Sequence, residues 1–275
     1  DAMDILKREI APIVPAAWAE IDDEARRVLR PELAGRHVVD VDGPHGWDFA
    51  AINTGKLELL DEEPQPGVHV GLRVVRPLIE VRTPFVLDLL ELDTAARGAP
   101  DIELQPVVDA ALRMARFEDG VLFNGYAPAG VTGIIAGSPH EPISIPAADR
   151  YPHAIAAARE RLYRAGVDGP YALVLSPECD EELSQATDDG YPIRKLIDRQ
   201  LIDGPLVRSQ AIDGAVLISR RGVDFSLTIG QDLSIGYASL DRDRVELYLT
   251  ESLTVQTLEP AAAIHLTRSA KGKKR

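Results

Sequence analysis

Lys56-Leu57-Glu58-Leu59-Leu60 and Val68-His69-Val70-Gly71-Leu72-Arg73-Val74-Val75 are two runs of strand character on either side of Pro64-Gln65-Pro66-Gly67. Proline and glycine break both runs and turn the chain back on itself, so residues 56–76 read as a long two-stranded arm. An isolated hairpin is marginally stable in water. An arm of this length therefore calls for a neighbouring subunit to pair with. The chain reads as one piece of an assembly.

The flanks give a mixed α+β pattern. Trp18, Ile21, Ala25, Val28 and Leu29 fall at helical spacing, with Glu20, Asp22, Asp23 and Arg26 opposite, which predicts a helix over residues 16–29. Pro12 and Pro15 precede it and Pro31 is expected to end it. Simple core packing also accounts for such a stripe. Strand character recurs at 38–41, 47–52 and 84–90, broken by Gly43-Pro44 and Asn53-Thr54-Gly55. A long helix is predicted over 104–123, then a turn-rich strand segment over 125–136. A second helix over 147–165 stops at Gly166-Val167-Asp168-Gly169-Pro170. Residues 171–175 read as a buried strand. Ser176-Pro177 reads as an N-cap with proline at the first helical position, opening a helix to about residue 186. A loop at 188–192, a helix at 193–201 and short strands over 206–266 complete the chain.

Charge and composition narrow the function. Against 44 Asp+Glu stand 30 Lys+Arg, a net −14, and four of the basic residues crowd the last five positions (Lys271, Lys273, Lys274, Arg275). A body this acidic repels phosphate, so neither nucleic-acid binding nor genome packaging is expected. Cys179 is the only cysteine, which rules out an intrachain disulfide and suits the cytoplasm. Asp1 to Arg8 lack the apolar stretch of a secretory signal, and no run approaches a membrane span of ~20 apolar residues. Met3 reads as the natural first residue.

Catalytic patterns are missing. The six histidines (His37, His45, His69, His140, His153, His265) form no H-E-x-x-H pair or Cys/His cluster, so no metal site is expected. There is no nucleophile elbow, Walker loop or dinucleotide fingerprint. Cys179, in the first turn of its helix, reads as a small buried hydrophobe. Glu91/Asp93, Glu118/Asp119 and Asp188/Asp189 are carboxylate pairs of a kind hydrolases use, but in so acidic a chain they read as a solvated face or intersubunit ion pairs. A non-enzymatic, structural role is expected.

Several collinear stretches, over residues 3 to about 267, resemble the encapsulin family, the linocin-type bacteriocins or virus-like nanocompartment shells. They include Leu6-Lys7-Arg8, Trp18-Ala19-Glu20-Ile21-Asp22 and Ala34-Gly35-Arg36-His37-Val38-Val39-Asp40-Val41. Pro84-Phe85-Val86-Leu87-Asp88, Phe117-Glu118-Asp119 and Gly190-Tyr191-Pro192 follow, and the most specific is Gly230-Gln231-Asp232-Leu233-Ser234-Ile235-Gly236-Tyr237. The resemblance implies the phage major-capsid fold of the Hong Kong 97 type. Its parts would be an N-terminal arm and helix (1–37), an extended loop (38–83), a peripheral domain with a spine helix (84–127 and 221–270) and an axial domain (128–220); the basic tail (271–275) reads as disordered from its Lys/Gly composition.

The resemblance further implies self-assembly into a closed icosahedral shell of the smallest class, about 60 copies. The shell would hold a cargo enzyme, a dye-decolourising peroxidase or a ferritin-like iron protein, by a short C-terminal peptide on the cargo. Arg36 and Asp40 match the family's docking groove, with Leu29, Ile229, Leu233 and Ile235 as apolar walls; alternatively Arg36 and Asp40 only salt-bridge to each other. Asp188, Asp189, Gly190 and Tyr191 would form a pore loop. Leu90 stands where some relatives carry a flavin-stacking tryptophan, so no flavin is expected. A true phage capsid protein should carry a long scaffold segment and a basic inner surface. A secreted bacteriocin or hydrolase should carry a signal or a catalytic constellation. Neither alternative fits.

Overall fold

The computed structural model describes residues 5–99, 101–188 and 190–268; Asp189 and the tail at 271–275 lie outside them. Pro15 opens α1 (Pro15–Glu32) where its missing N–H costs nothing. Trp18, Ile21, Ala25, Val28 and Leu29 form the buried face, as their spacing predicts. The expected stop at Pro31 is not observed. Pro31 sits in the last turn, so it removes one hydrogen bond near the helix end, and Leu33 N–H still reaches Leu29 O at 3.0 Å.

A 3₁₀ turn at Gly35–His37 leads to β1 (Asp40–Asp42). Strands β2 (Ala51–Leu59) and β3 (Gly71–Pro77) form the arm, and β4 (Ile79–Asp88) runs into α2 (Leu89–Ala96) and α3 (Gln105–Asn124). Next come β5 (Gly125–Tyr126), β6 (Val131–Thr132), α4 (Ile134–Gly137), β7 (Ile143–Ile145) and α5 (Tyr151–Arg164). After β8 (Tyr171–Leu175) and α6 (Pro177–Gln185), a small hairpin of β9 (Thr187–Asp188) and β10 (Tyr191–Pro192) precedes α7 (Ile193–Leu196), which continues as a π turn at Ile197–Leu201. The remaining strands are β11 (Leu206–Arg208), β12 (Ala215–Ser219), β13 (Phe225–Ile229), β14 (Ser234–Asp241), β15 (Arg244–Thr257) and β16 (Ala263–Arg268).

The strand expected to reach residue 90 ends at Asp88. Its Oδ1 accepts the Leu90 N–H at 2.8 Å and caps α2, so Leu90 stands exposed in a helix rather than in a strand. Helix α5 starts four residues later than expected, with Pro152 in its first turn.

Two sheets organise the chain. In the first, β15 is central: β4 pairs along one side, and β14 and β13 share the other. Strand β1 joins β13 in parallel. Helices α1 and α3 cover one face, burying Ile21, Met114, Phe85, Leu247 and Leu249; each such side chain contributes about 1.5–3 kcal/mol. The second sheet runs β11-β8-β12-β16-β7. Its core takes in Tyr151, Leu162, Leu173 and Cys179, and it also holds Leu122 and Phe123 from the end of α3. Helix α3 thus ties both layers together.

The expected division at residue 220 places β16 wrongly. Ala263–Arg268 lies between β12 and β7 in the second sheet, so the last strand belongs with the 128–220 layer and not with 221–262. The expected extended loop is likewise shorter than 38–83. Strand β1 and the start of β4 are built into the first sheet, and the free hairpin spans Ala51–Leu59 and Gly71–Pro77.

Candidate functional site

Gly35 brings the turn after α1 close against α3. A Cβ there would sit 2.3 Å from Leu122 Cδ2, so any other residue would push that buried side chain aside, and Gly35 N–H donates to Asp119 Oδ1 at 2.9 Å. The next residue, Arg36, then points into a gap between α1, α3 and the first sheet. It donates Nε and Nη2 to Glu118, with Nη2 at 2.7 Å, Nη2 to Glu251 Oε1 at 2.5 Å, and Nη1 to Asp232 Oδ1 at 2.9 Å. Glu118 and Glu251 are fully buried, whereas the Asp232 side chain is 44% exposed. Burial works against the guanidinium's charge, but the Glu118 hydrogen bonds and the three carboxylate charges outweigh it and raise its pKa. Beside it, burial pushes Asp119 up to about 7 against the stabilising bonds from Ser209 Oγ and Gly35 N–H.

Above this cluster opens a cleft of about 420 Å³. Helix α1 supplies one wall with Ala25 and Leu29, extended by Leu33. Leu233, Ile235 and Leu249 form the other, Arg36 and Asp232 lie at the base, and Leu6 and Arg8 stand at the mouth. Arg8 is fixed there by Asp22 at 2.7 Å and by the Trp18 ring 4.0 Å beneath its guanidinium. The cleft thus has apolar side walls with charged groups, Arg36 and Asp232, beneath them.

Of the six residues expected in a docking groove, Leu29, Arg36, Leu233 and Ile235 come together here. Ile229 does not: it ends β13, which is enclosed between β1 and β15, and its side chain is 1% exposed in the core shared by the two layers. Asp40 is also elsewhere. Its Oδ2 accepts the Val223 N–H at 2.7 Å and holds a turn in which Val223 adopts the left-handed φ of 61°. Arg36 and Asp40 therefore neither share the cleft nor pair with each other. Each has other partners.

Sequence reasoning gives no role to Asp232 and Glu251, and its reading of Glu118 and Asp119 as a solvated face or intersubunit ion pairs does not hold: both are buried, and Glu118 pairs with Arg36 of the same chain. A signal existed for Glu118 and Glu251. Glu118 falls on the apolar face of α3 in step with Ala111, Met114 and Leu122, and Glu251 shares a strand face with Leu247, Leu249 and Leu253. A charge on a core-facing position marks a buried ion cluster.

The β9–β10 hairpin turns at Gly190 (φ +81°), with Tyr191 45% exposed at its tip. Among the described residues no group of three His, Cys, Asp or Glu side chains gathers in a way that could hold a metal ion, and no helix is long and apolar enough to cross a membrane.

Comparison with known proteins gives a consistent result. The family described as "Encapsulating protein for peroxidase" (Linocin_M18) matches residues 3–254. The type 1 encapsulin shell protein of Rhodospirillum rubrum is 46% identical over 96% of each chain. Those of Brevibacterium linens and Mycobacterium tuberculosis are 43% and 42% identical, over 96% of this chain and all of theirs. Among solved structures, the virus-like particle from Pyrococcus furiosus superposes with a TM-score of 0.62 at 12% identity, covering 90% of this chain and 97% of that one. The capsid of an empty GTA particle gives 0.56 at 14% identity, covering 86% and 90%. The two-layered α+β arrangement is accordingly the phage major-capsid fold. The chain belongs to the family of type 1 encapsulin shell proteins.

Proposed function

We propose that this chain is the subunit of a closed icosahedral shell of about 60 copies that encloses a cargo enzyme in the cytoplasm. The observation that carries this reading is the arm. Strands β2 and β3 pair only with each other among the described residues, and Leu57, Leu59, Leu72 and Val75 are each more than half exposed on them. A hairpin with that much apolar surface in water is stable when a neighbouring copy covers it.

In this reading the α1–β14 cleft receives the cargo's C-terminal peptide, and activity belongs to the cargo. A peroxidase is the favoured cargo because the family description names one; a ferritin-like iron protein is the other candidate. The β9–β10 tip, acidic in sequence through Asp188 and Asp189, would line an opening at a symmetry axis and attract cations by summed field. Leu90 offers no aromatic face, so the shell would carry no flavin there. The net charge of −14 disfavours nucleic acid.

The test is a monomeric fluorescent protein fused to the tail of the peroxidase cargo and co-expressed with each shell. Leu233→Asp places a charge on the apolar wall of the cleft. It is expected to lower co-purifying fluorescence about tenfold or more, the effect of losing roughly 1.4 kcal/mol of binding, while particles keep their size. Equal fluorescence with wild-type and Leu233→Asp shells would place docking outside the cleft.

A further inference from the structure

At the base of the cleft one guanidinium faces three carboxylates. Asp232 is partly in water, which screens it. Glu118 and Glu251 have no exposed side-chain surface, and the single charge of Arg36 balances only one of them. An uncompensated buried carboxylate is far costlier than a neutral carboxylic acid.

The geometry says where a proton belongs. Glu118 takes hydrogen bonds from Arg36 on both oxygens. Glu251 takes Nη2 on Oε1, while its Oε2 is buried and meets no donor. The same Arg36 Nη2 donates to Glu118 Oε2 at 2.7 Å and to Glu251 Oε1 at 2.5 Å, which brings the two carboxyls side by side. Buried polar atoms are rarely left unpaired, and one proton held between the two carboxyls supplies the donor that a pair of buried carboxylates lacks.

We propose that Glu118 and Glu251 hold one proton between them, and that this proton lets a single arginine clasp the turn after α1, helix α3, the β13–β14 connection and strand β15. The latch holds while the proton is bound and slackens in alkali, when two buried negative charges repel. The groups facing the pair are Arg36 from the turn after α1, Asp119 from α3 beside Glu118, and Asp232 from the β13–β14 connection. Burial first, then the neighbouring Glu118 charge, push Glu251 well above the usual carboxylate range, with Arg36 opposing.

The sign of the pH effect follows. The native chain keeps a proton that the unfolded chain releases near the ordinary value of 4.5. Its contribution to stability is complete below that value and is lost as pH rises toward the native pKa. The loss is about tenfold in the folding equilibrium per pH unit.

Infrared spectroscopy at about pH 8, above the titration of Asp119, reads the proton directly through the carbonyl stretch of a protonated carboxylic acid. The expected result is an acid band in the wild-type protein and in Asp119→Asn, absent in Glu251→Gln. The glutamine amide can donate to Glu118 as the acid does, so Glu251→Gln is also expected to fold and to lose the tenfold-per-unit pH slope. No acid band in the wild-type protein at that pH overturns the proposal even if every variant fails to fold. A band that survives Glu251→Gln overturns it equally.

Discussion

Replacing residues 58–74 with a two-residue glycine turn is expected to leave a folded chain that no longer closes into particles. The cut removes the exposed Leu59, Leu60, Val68 and Leu72 of the arm but spares its base, Leu57 and Val75 included. Arg76 Nη1 still donates to Val255 O at 2.5 Å, and β4 keeps its full pairing with β15. Both cores lie outside the deleted segment, so circular dichroism and the unfolding transition should stay close to those of the intact subunit. Association should not survive. Stable protein interfaces bury on the order of 1,200–2,000 Å², and the arm gathers Leu57, Leu59, Leu60, Val68, Leu72 and Val75 on one exposed hairpin. Sedimentation velocity is expected to show small species in place of a large particle. Particles of unchanged size would mean that the arm does not bridge subunits.

The second large effect is at Arg36. Arg36→Met keeps the length and apolar stem of the side chain but leaves Glu118 and Glu251 buried without a cation. Removing one partner of a buried ion pair costs about 3–5 kcal/mol, a large share of the stability of a typical domain. Denaturant unfolding of the disassembled chain should show that loss. Asp40→Ala removes one hydrogen bond to Val223 at a largely exposed turn and should cost about 1 kcal/mol. The contrast separates two roles for Arg36. A residue that only touches a cargo peptide would leave unfolding unchanged when replaced, while a residue that clasps four elements would not.

These two sites also show what the sequence makes legible. The arm announces itself because strand runs and a Pro/Gly turn are local properties. So do the Ser176 cap, whose Oγ accepts the Cys179 N–H at 3.2 Å, and the apolar stripe of α1. The Arg36 cluster is different. Its members lie 82, 196 and 215 residues from Arg36 along the chain, and no local pattern pairs them. The grouping of Arg36 with Asp40 rests on the family resemblance, and the local pattern alone does not show where either side chain goes. Arg36 lies in the 3₁₀ turn and faces α3, whereas Asp40 opens β1 and faces the Val223 turn. Strand β16 eludes a linear division for the same reason, since it crosses back to pair with β12. Helix α2 was within reach. Asp88-Leu89-Leu90-Glu91 has the acid-to-glutamate spacing of an N-terminal capping motif, but the apolar run before it reads as continuing strand.

Static light scattering of the purified wild-type chain, paired with electron micrographs of the same sample, tests the central claim most directly. The account predicts hollow particles of one size whose mass is about 60 times that of the chain, with icosahedral symmetry in averaged images. Monomers or dimers at micromolar concentration, with no particles on the grid, would contradict it.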